Sequence, residues 1–166
     1  MKGERAQTTL DFAIGASIFL LAVAFVFGFV PTMLDPFTSS EDGRLVLADR
    51  TAQHLADDAL AESPARPSRL NSTCTAEFFA AADLTGSDDC GFTPSEETSS
   101  LLATGDYAVD VTIHELDTSP SDPVDFTFED ETISLHRGPE SVGDNVVAHR
   151  VVLLEGTQYR LTVRVW

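Results

Sequence analysis

From position 12 to position 30 the chain reads FAIGASIFLLAVAFVFGFV, nineteen residues without a charge, an asparagine or a glutamine. Wound as an α-helix, that run is roughly 28 Å long, about the thickness of a bilayer's hydrocarbon core. It is apolar on every side, whereas a helix lying on a soluble core keeps a polar face. Such a segment demands lipid or other helices around it, or removal by processing. Pro31 and Pro36 follow it and are expected to break or kink the helix.

The remaining 132 residues can form one ordinary domain. Of the 166 residues, 27 are acidic and 10 basic, a net charge of −17, and beyond position 34 the counts are 25 and 8. The whole imbalance therefore belongs to the C-terminal body. A surface so negative repels phosphate and offers no basic stripe, which disfavours a nucleic-acid partner. Disorder is the usual alternative for an acidic chain, but apolar residues recur periodically along most of the body. Lys2 is the only lysine beside nine arginines. Acid-rich, lysine-poor surfaces resemble those of proteins from salt-loving microbes, where salt screens self-repulsion. An acidic protein from an ordinary organism is the competing reading.

Lys2 and Arg5 precede the apolar run and no basic cluster follows it. The positive-inside tendency then leaves the N-terminus in the cytoplasm and sends residues 35–166 outside, as one extracellular domain of a single-pass cell-membrane protein. A cleaved secretory signal competes with this, but the run is long for such a signal and PTMLDPF holds no small-x-small cleavage site. Cys74 and Cys90 are an even pair, and a bridge between them would contribute on the order of 3 kcal/mol in the chain-entropy model. Two unpaired thiols are the alternative. Asn71-Ser72-Thr73 is a glycosylation sequon, with Asn71 as the acceptor, in a Ser/Thr/Pro-rich stretch.

The first dozen residues, MKGERAQTTLDF, resemble the class III signal peptide of archaeal type IV pilin-like proteins. The resemblance implies a leader over residues 1–6, cut by a prepilin peptidase between Ala6 and Gln7. It puts Asp11 at the fifth mature position, where pilins usually carry Glu, to pair with the α-amino group of a neighbouring subunit. The plainer reading of Asp11 is that it favours the N-terminal end of the helix dipole. RAQTTLDFAIG followed by VPTMLDPF also resembles a group of small haloarchaeal membrane proteins. These likenesses cover residues 1–37 and imply lipid, other pilin-like subunits and the peptidase as partners.

The body reads as α+β. Ser39 or Ser40 caps an amphipathic helix expected over residues 41–62, with Leu45, Ala48, Ala52, Leu55, Ala56 and Ala59 on its apolar stripe and Pro64 as its end. Residues 63–103 read as a disulfide-tied loop region with a short helix at 75–82. From position 104 the period changes to two. Residues 107–114 alternate as a half-buried strand, 124–128 and 132–136 form a hairpin, and 145–154 and 158–166 flank a turn at Glu155-Gly156-Thr157. This predicts a mainly antiparallel sheet of four to five strands, and the order of helix, second helix and sheet resembles the pilin layout.

Signatures of enzyme chemistry are missing from the sequence. There is no Gly-rich phosphate loop, nucleophile elbow or His-Glu-x-x-His pattern. The scattered His54, His114, His136 and His149 read as surface or sheet-face residues rather than ligands or bases. Asp122, Asp125, Glu129, Asp130 and Glu131 read as a solvated acidic turn rather than a cation site. No catalytic residue, metal or cofactor is expected. Ala13 with Ser17, and Ala24 with Gly28, have the spacing that lets membrane helices approach closely. Two functional classes follow: a pilin-like minor subunit or accessory of a surface filament or secretion-type assembly, and a non-assembling bitopic protein whose acidic head binds a partner.

Overall fold

The computed structural model describes the backbone of residues 4–34, 40–84, 90–141 and 143–166, with side chains over 10–29, 43–84, 90–141 and 143–166. The chain divides into two units, residues 1–42 and 43–166. Helix α1, Glu4–Leu34, forms most of the first. It does not stop at Pro31: a proline costs one backbone bond, and here the helix ends only three residues later. Pro36 and Ser39 lie outside the described residues.

Helix α2 (Ser40–His54), all but its first three residues in the second unit, widens into a π-helical turn, Leu55–Ala59, closed by Leu60 N–H on the Leu55 carbonyl at 3.1 Å. The helical segment thus ends earlier than residue 62. The expected stripe holds at Ala48, Ala52, Leu55 and Ala56, all fully buried. Leu45 departs from it and is 54% exposed. Strands β1 (Ala61–Ser63) and β2 (Arg66–Leu70) then precede helix α3 (Ser72–Ala80) and the short helix α4 (Thr98–Leu101).

The body continues as β3 (Val109–His114), β4 (Asp125–Phe128), β5 (Glu131–Ser134), β6 (His136–Arg137), β7 (Val146–Leu154) and β8 (Thr157–Val165). Six strands form one sheet in the order β1-β2-β7-β8-β3-β6, and β4 pairs with β5 separately. The sheet region therefore holds more strands than the four or five expected. All its pairings are antiparallel except β2 with β7, which touch in parallel at Arg69 and Leu153. Both long hairpins close on two-residue turns with positive φ, Glu129-Asp130 and Glu155-Gly156, as the twist of the strands prefers.

One face of the sheet is apolar. Val111 and Ile113 of β3, Leu161, Val163 and Val165 of β8, and Val152 and Leu154 of β7 join Leu55, Leu60 and Phe78 in a single core. Arg150, on the same face of β7, reaches Asp49 of α2 at 2.6 Å, so α2 covers this side. The other face carries Asp110, Thr112 and His114 opposite Arg164, Thr162 and Arg160. Strand β3 is buried along its whole length rather than half-buried, because residues after it fold back across the polar face: Glu115 accepts from His114, and the Pro120 carbonyl lies 3.5 Å from Arg164. Gly138 allows β6 to press on β3. Its φ is +125°, and a Cβ there would stand 2.3 Å from the Val109 carbonyl oxygen.

Candidate functional site

Three places concentrate unusual chemistry. The first is α1. Among the described residues one helix is long and apolar enough to cross a membrane, Leu10–Phe29, and none of that window is buried against the rest of the chain. Asp11 is its sole charge and is exposed. Ser17 Oγ donates to the Ala13 carbonyl at 2.7 Å, so its hydroxyl is satisfied without water. Ala13, Ser17, Ala24 and Gly28 are all exposed. The bond between Ala6 and Gln7 falls in the first turn of α1, while those two side chains lie outside the described residues.

The second is a clamp around α3. Cys74 and Cys90 are joined as a disulfide with Cα atoms 5.3 Å apart, and both are buried. Asn71 caps the helix: its Oδ1 accepts from the Cys74 backbone N–H at 3.1 Å. At the other end the guanidinium of Arg137, 7% exposed, stacks over the Phe78 ring with its carbon 4.7 Å from the centroid. It donates to the Phe78 carbonyl at 2.6 Å, Pro94 carbonyl at 3.0 Å, Thr98 hydroxyl at 3.1 Å and Glu96 carbonyl. One buried cation thus holds the last turn of α3, residues 94–96 and the start of α4.

The third is the polar sheet face. Asp110 is fully buried, with Arg164 Nη2 at 2.5 Å from one oxygen and His136 Nε2 at 2.8 Å from the other. Both contacts lie within ion-pair distance. Burial raises the Asp110 pKa above the ordinary carboxylate value, with the Arg164 and His136 charges pulling against it. His136 and Arg164 line a cavity of about 340 Å³ with Ser121, Glu140 and Ser141. The arrangement can hold a small polar group against Arg164 and His136.

Beside it, two imidazoles share one hydroxyl. His114 Nδ1 lies 2.8 Å from the Glu115 carbonyl, which only accepts, so in the neutral ring Nδ1 carries the hydrogen. Nε2 then accepts from Thr162 Oγ, 2.9 Å away, and that oxygen accepts in turn from His149 Nδ1 at 2.8 Å. Desolvation lowers the pKa of both histidines, aided by Arg160, with Arg164 adding to the effect at His114 and His114 adding to it at His149. With folded pKa values below 6.5, the unfolded chain binds more protons under that pH, so this contribution to stability is present above 6.5 and is lost as pH falls. We expect urea unfolding to show stability falling from pH 7 toward pH 5, and a His114→Gln, His149→Gln variant to show a flatter slope. Asp110 acts in the opposite direction, since its raised pKa removes stability as pH climbs from 3.8 through the folded value. An unchanged slope in the double variant would refute the assignment.

A model of one protein family matches residues 3–166. The chain belongs to the family of unknown function DUF7287. No curated protein and no solved structure matches it. The DUF7287 match includes both the helix and the body, so α1, the α3 clamp and the polar face all fall within the family's extent.

The histidines of this DUF7287 chain are less alike than their sequence context suggests. His54 is an exposed helix residue 3.2 Å from Asp58, whereas His114 is fully buried and His136 and His149 sit on the polar sheet face. Asp122, Asp125, Glu129, Asp130 and Glu131 are exposed, and among the described residues no three His, Cys, Asp or Glu side chains are placed to hold a metal ion. Sequence reasoning missed Asp110, Arg137 and Thr162. For Asp110 and Thr162 the signal was alternation, Asp110-Thr112-His114 against Arg160-Thr162-Arg164, which becomes informative only once the β3–β8 register is known.

Proposed function

We propose that this DUF7287 chain is a pilin-like single-span membrane protein, cut between Ala6 and Gln7, with α1 in the membrane and the acidic head outside the cell. In this reading it serves as a minor subunit or accessory of a surface filament or secretion-type assembly. The carrying observation is α1 itself: apolar all round, unburied, with Asp11 as the sole charge of Leu10–Phe29. A carboxylate at that depth calls for a cationic partner, and cleavage before Gln7 would create one on each neighbouring copy. The α+β body after the helix and the disulfide in the head agree with an exported domain.

Mass spectrometry of the chain from native membranes tests it. The mature protein should begin at Gln7, and in cells lacking prepilin peptidase at Met1. An uncleaved chain in normal cells, or a start beyond position 30, would overturn the proposal. The cavity over Asp110 favours a second reading, a non-assembling bitopic protein whose head binds a partner at the surface. Recovery of the chain in isolated surface filaments rules that reading out.

The head's charge makes a separate demand. With 25 acidic and 8 basic residues beyond position 34, its self-repulsion is relieved by screening. The melting temperature is expected to rise by several degrees from dilute buffer to molar salt. A flat or falling salt dependence argues against a halophilic origin.

A further inference from the structure

Asn71 has two polar atoms with different duties. Its Oδ1 is engaged by the Cys74 N–H at 3.1 Å, and its backbone N–H is engaged by the Leu60 carbonyl at 2.8 Å. The amide nitrogen Nδ2 takes no part in that cap. The residue is half-buried, with extended backbone (φ −79°, ψ 125°), and Ser72 and Thr73 complete the sequon behind it. Next to it lies a groove of about 350 Å³ lined by Glu62, Arg69, Ser72 and Glu155. Ser72 Oγ donates to Glu155 at 3.1 Å and Arg69 Nε lies 2.6 Å from Glu62, so hydroxyl, carboxylate and guanidinium groups are set out where a sugar's hydroxyls would find donors and acceptors.

We infer that Nδ2 of Asn71 carries an N-linked glycan whose first sugar lies along this groove, an inference that rests on the head being exported. The donor is a lipid-phosphate-linked glycan presented at the outer membrane face by a membrane transferase. Nδ2 forms a bond to the anomeric carbon as the bond from that carbon to the lipid phosphate breaks. The lipid phosphate departs and Nδ2 loses one proton to a base of the transferase. The product is still an amide with its carbonyl oxygen, so the helix cap survives the modification. A residue whose oxygen folds the chain and whose nitrogen takes the sugar couples the two without conflict.

The test uses full-length protein purified from native membranes. Peptide mass mapping should find the segment containing Asn71 heavier by one or more sugar residues. Thr73→Ala should abolish the increment while leaving the Asn71 cap intact, and Thr73→Ser should retain it. Protease added to intact cells reports separately on whether the head is outside. An unmodified Asn71 on a head that the protease reaches overturns the glycan and leaves the topology standing. A head that the protease reaches only after lysis overturns the topology and this inference with it. Sugar that persists at unchanged mass in Thr73→Ala lies elsewhere and also refutes the assignment.

Discussion

Replacing Arg137 by alanine lowers the stability of the head by about 3 kcal/mol, because it deletes several hydrogen bonds made by a charged group, each worth about 1.5–3 kcal/mol, together with a cation–π contact. Among the described residues the guanidinium meets no carboxylate; three carbonyls, one hydroxyl and one aromatic face carry it. Removing it takes a donor from three carbonyl oxygens at once: the Phe78 carbonyl keeps the Ala81 N–H at 3.3 Å, and the less deeply placed Pro94 and Glu96 carbonyls turn to water. One of them, the Phe78 carbonyl, belongs to the last turn of α3, where the helix dipole also favours a cation. Lysine is a partial substitute, because a point-like ammonium cannot span the Phe78, Pro94 and Glu96 carbonyls as a planar fork does. Trp166 is the only tryptophan, half-buried and paired through its backbone with Ala108, so its fluorescence follows unfolding of the sheet. Urea titration of the detergent-solubilised full chain in molar salt should show Arg137→Ala far weaker than the native protein and Arg137→Lys between them. A loss below about 1 kcal/mol, the size of an ordinary single hydrogen bond, would mean that Arg137 is not the clamp described here.

Opening the disulfide should cost about 3 kcal/mol on the chain-entropy scale, for a loop of 16 residues. Cys74 lies 6% exposed in the first turn of α3 and Cys90 9% exposed after it, so reductant alone reaches them slowly in the folded head. The comparison is therefore between urea curves of the oxidised protein and of a Cys74→Ser, Cys90→Ser variant. Coincident curves would show that the bridge is dispensable. The bridge and Arg137 both tie the segment after α3 back to that helix, one at its start and one at its end. Losing both should cost less than the sum of the separate losses, because a segment already freed by one change has less left to lose.

How far these features were legible depends on the range of the interaction behind them. Local periodicity was enough for α2, for the hairpin Val146–Leu154 with Thr157–Val165, and for the turn at Glu155-Gly156, since alternation and turn chemistry act over a few residues. An even pair of cysteines raised a Cys74–Cys90 bridge beside the alternative of two free thiols, and the structure joins them. Strand β2 was hidden because RPSRL has a proline and no alternation; its strand character comes from lying between β1 and β7, a non-local cause. Arg137 resembled any arginine next to a glycine. What marks it is the meeting of residues 78, 94, 96 and 98 around it, which no window of sequence contains. The same holds for His114 and His149, thirty-five positions apart and joined only through Thr162.

The sheet order has one more consequence. The nine-residue strands β7 and β8 occupy its middle, while its two margins are β1, three residues long, and β6, two residues long. A strand from another molecule arriving at β1 or β6 finds almost no ladder to extend, whereas β7, paired with β2 only at Arg69 and Leu153, keeps a longer outer edge. Backbone pairing between copies crowded side by side is therefore confined to β7, and other lasting association between them is left to side-chain surfaces such as that of α1.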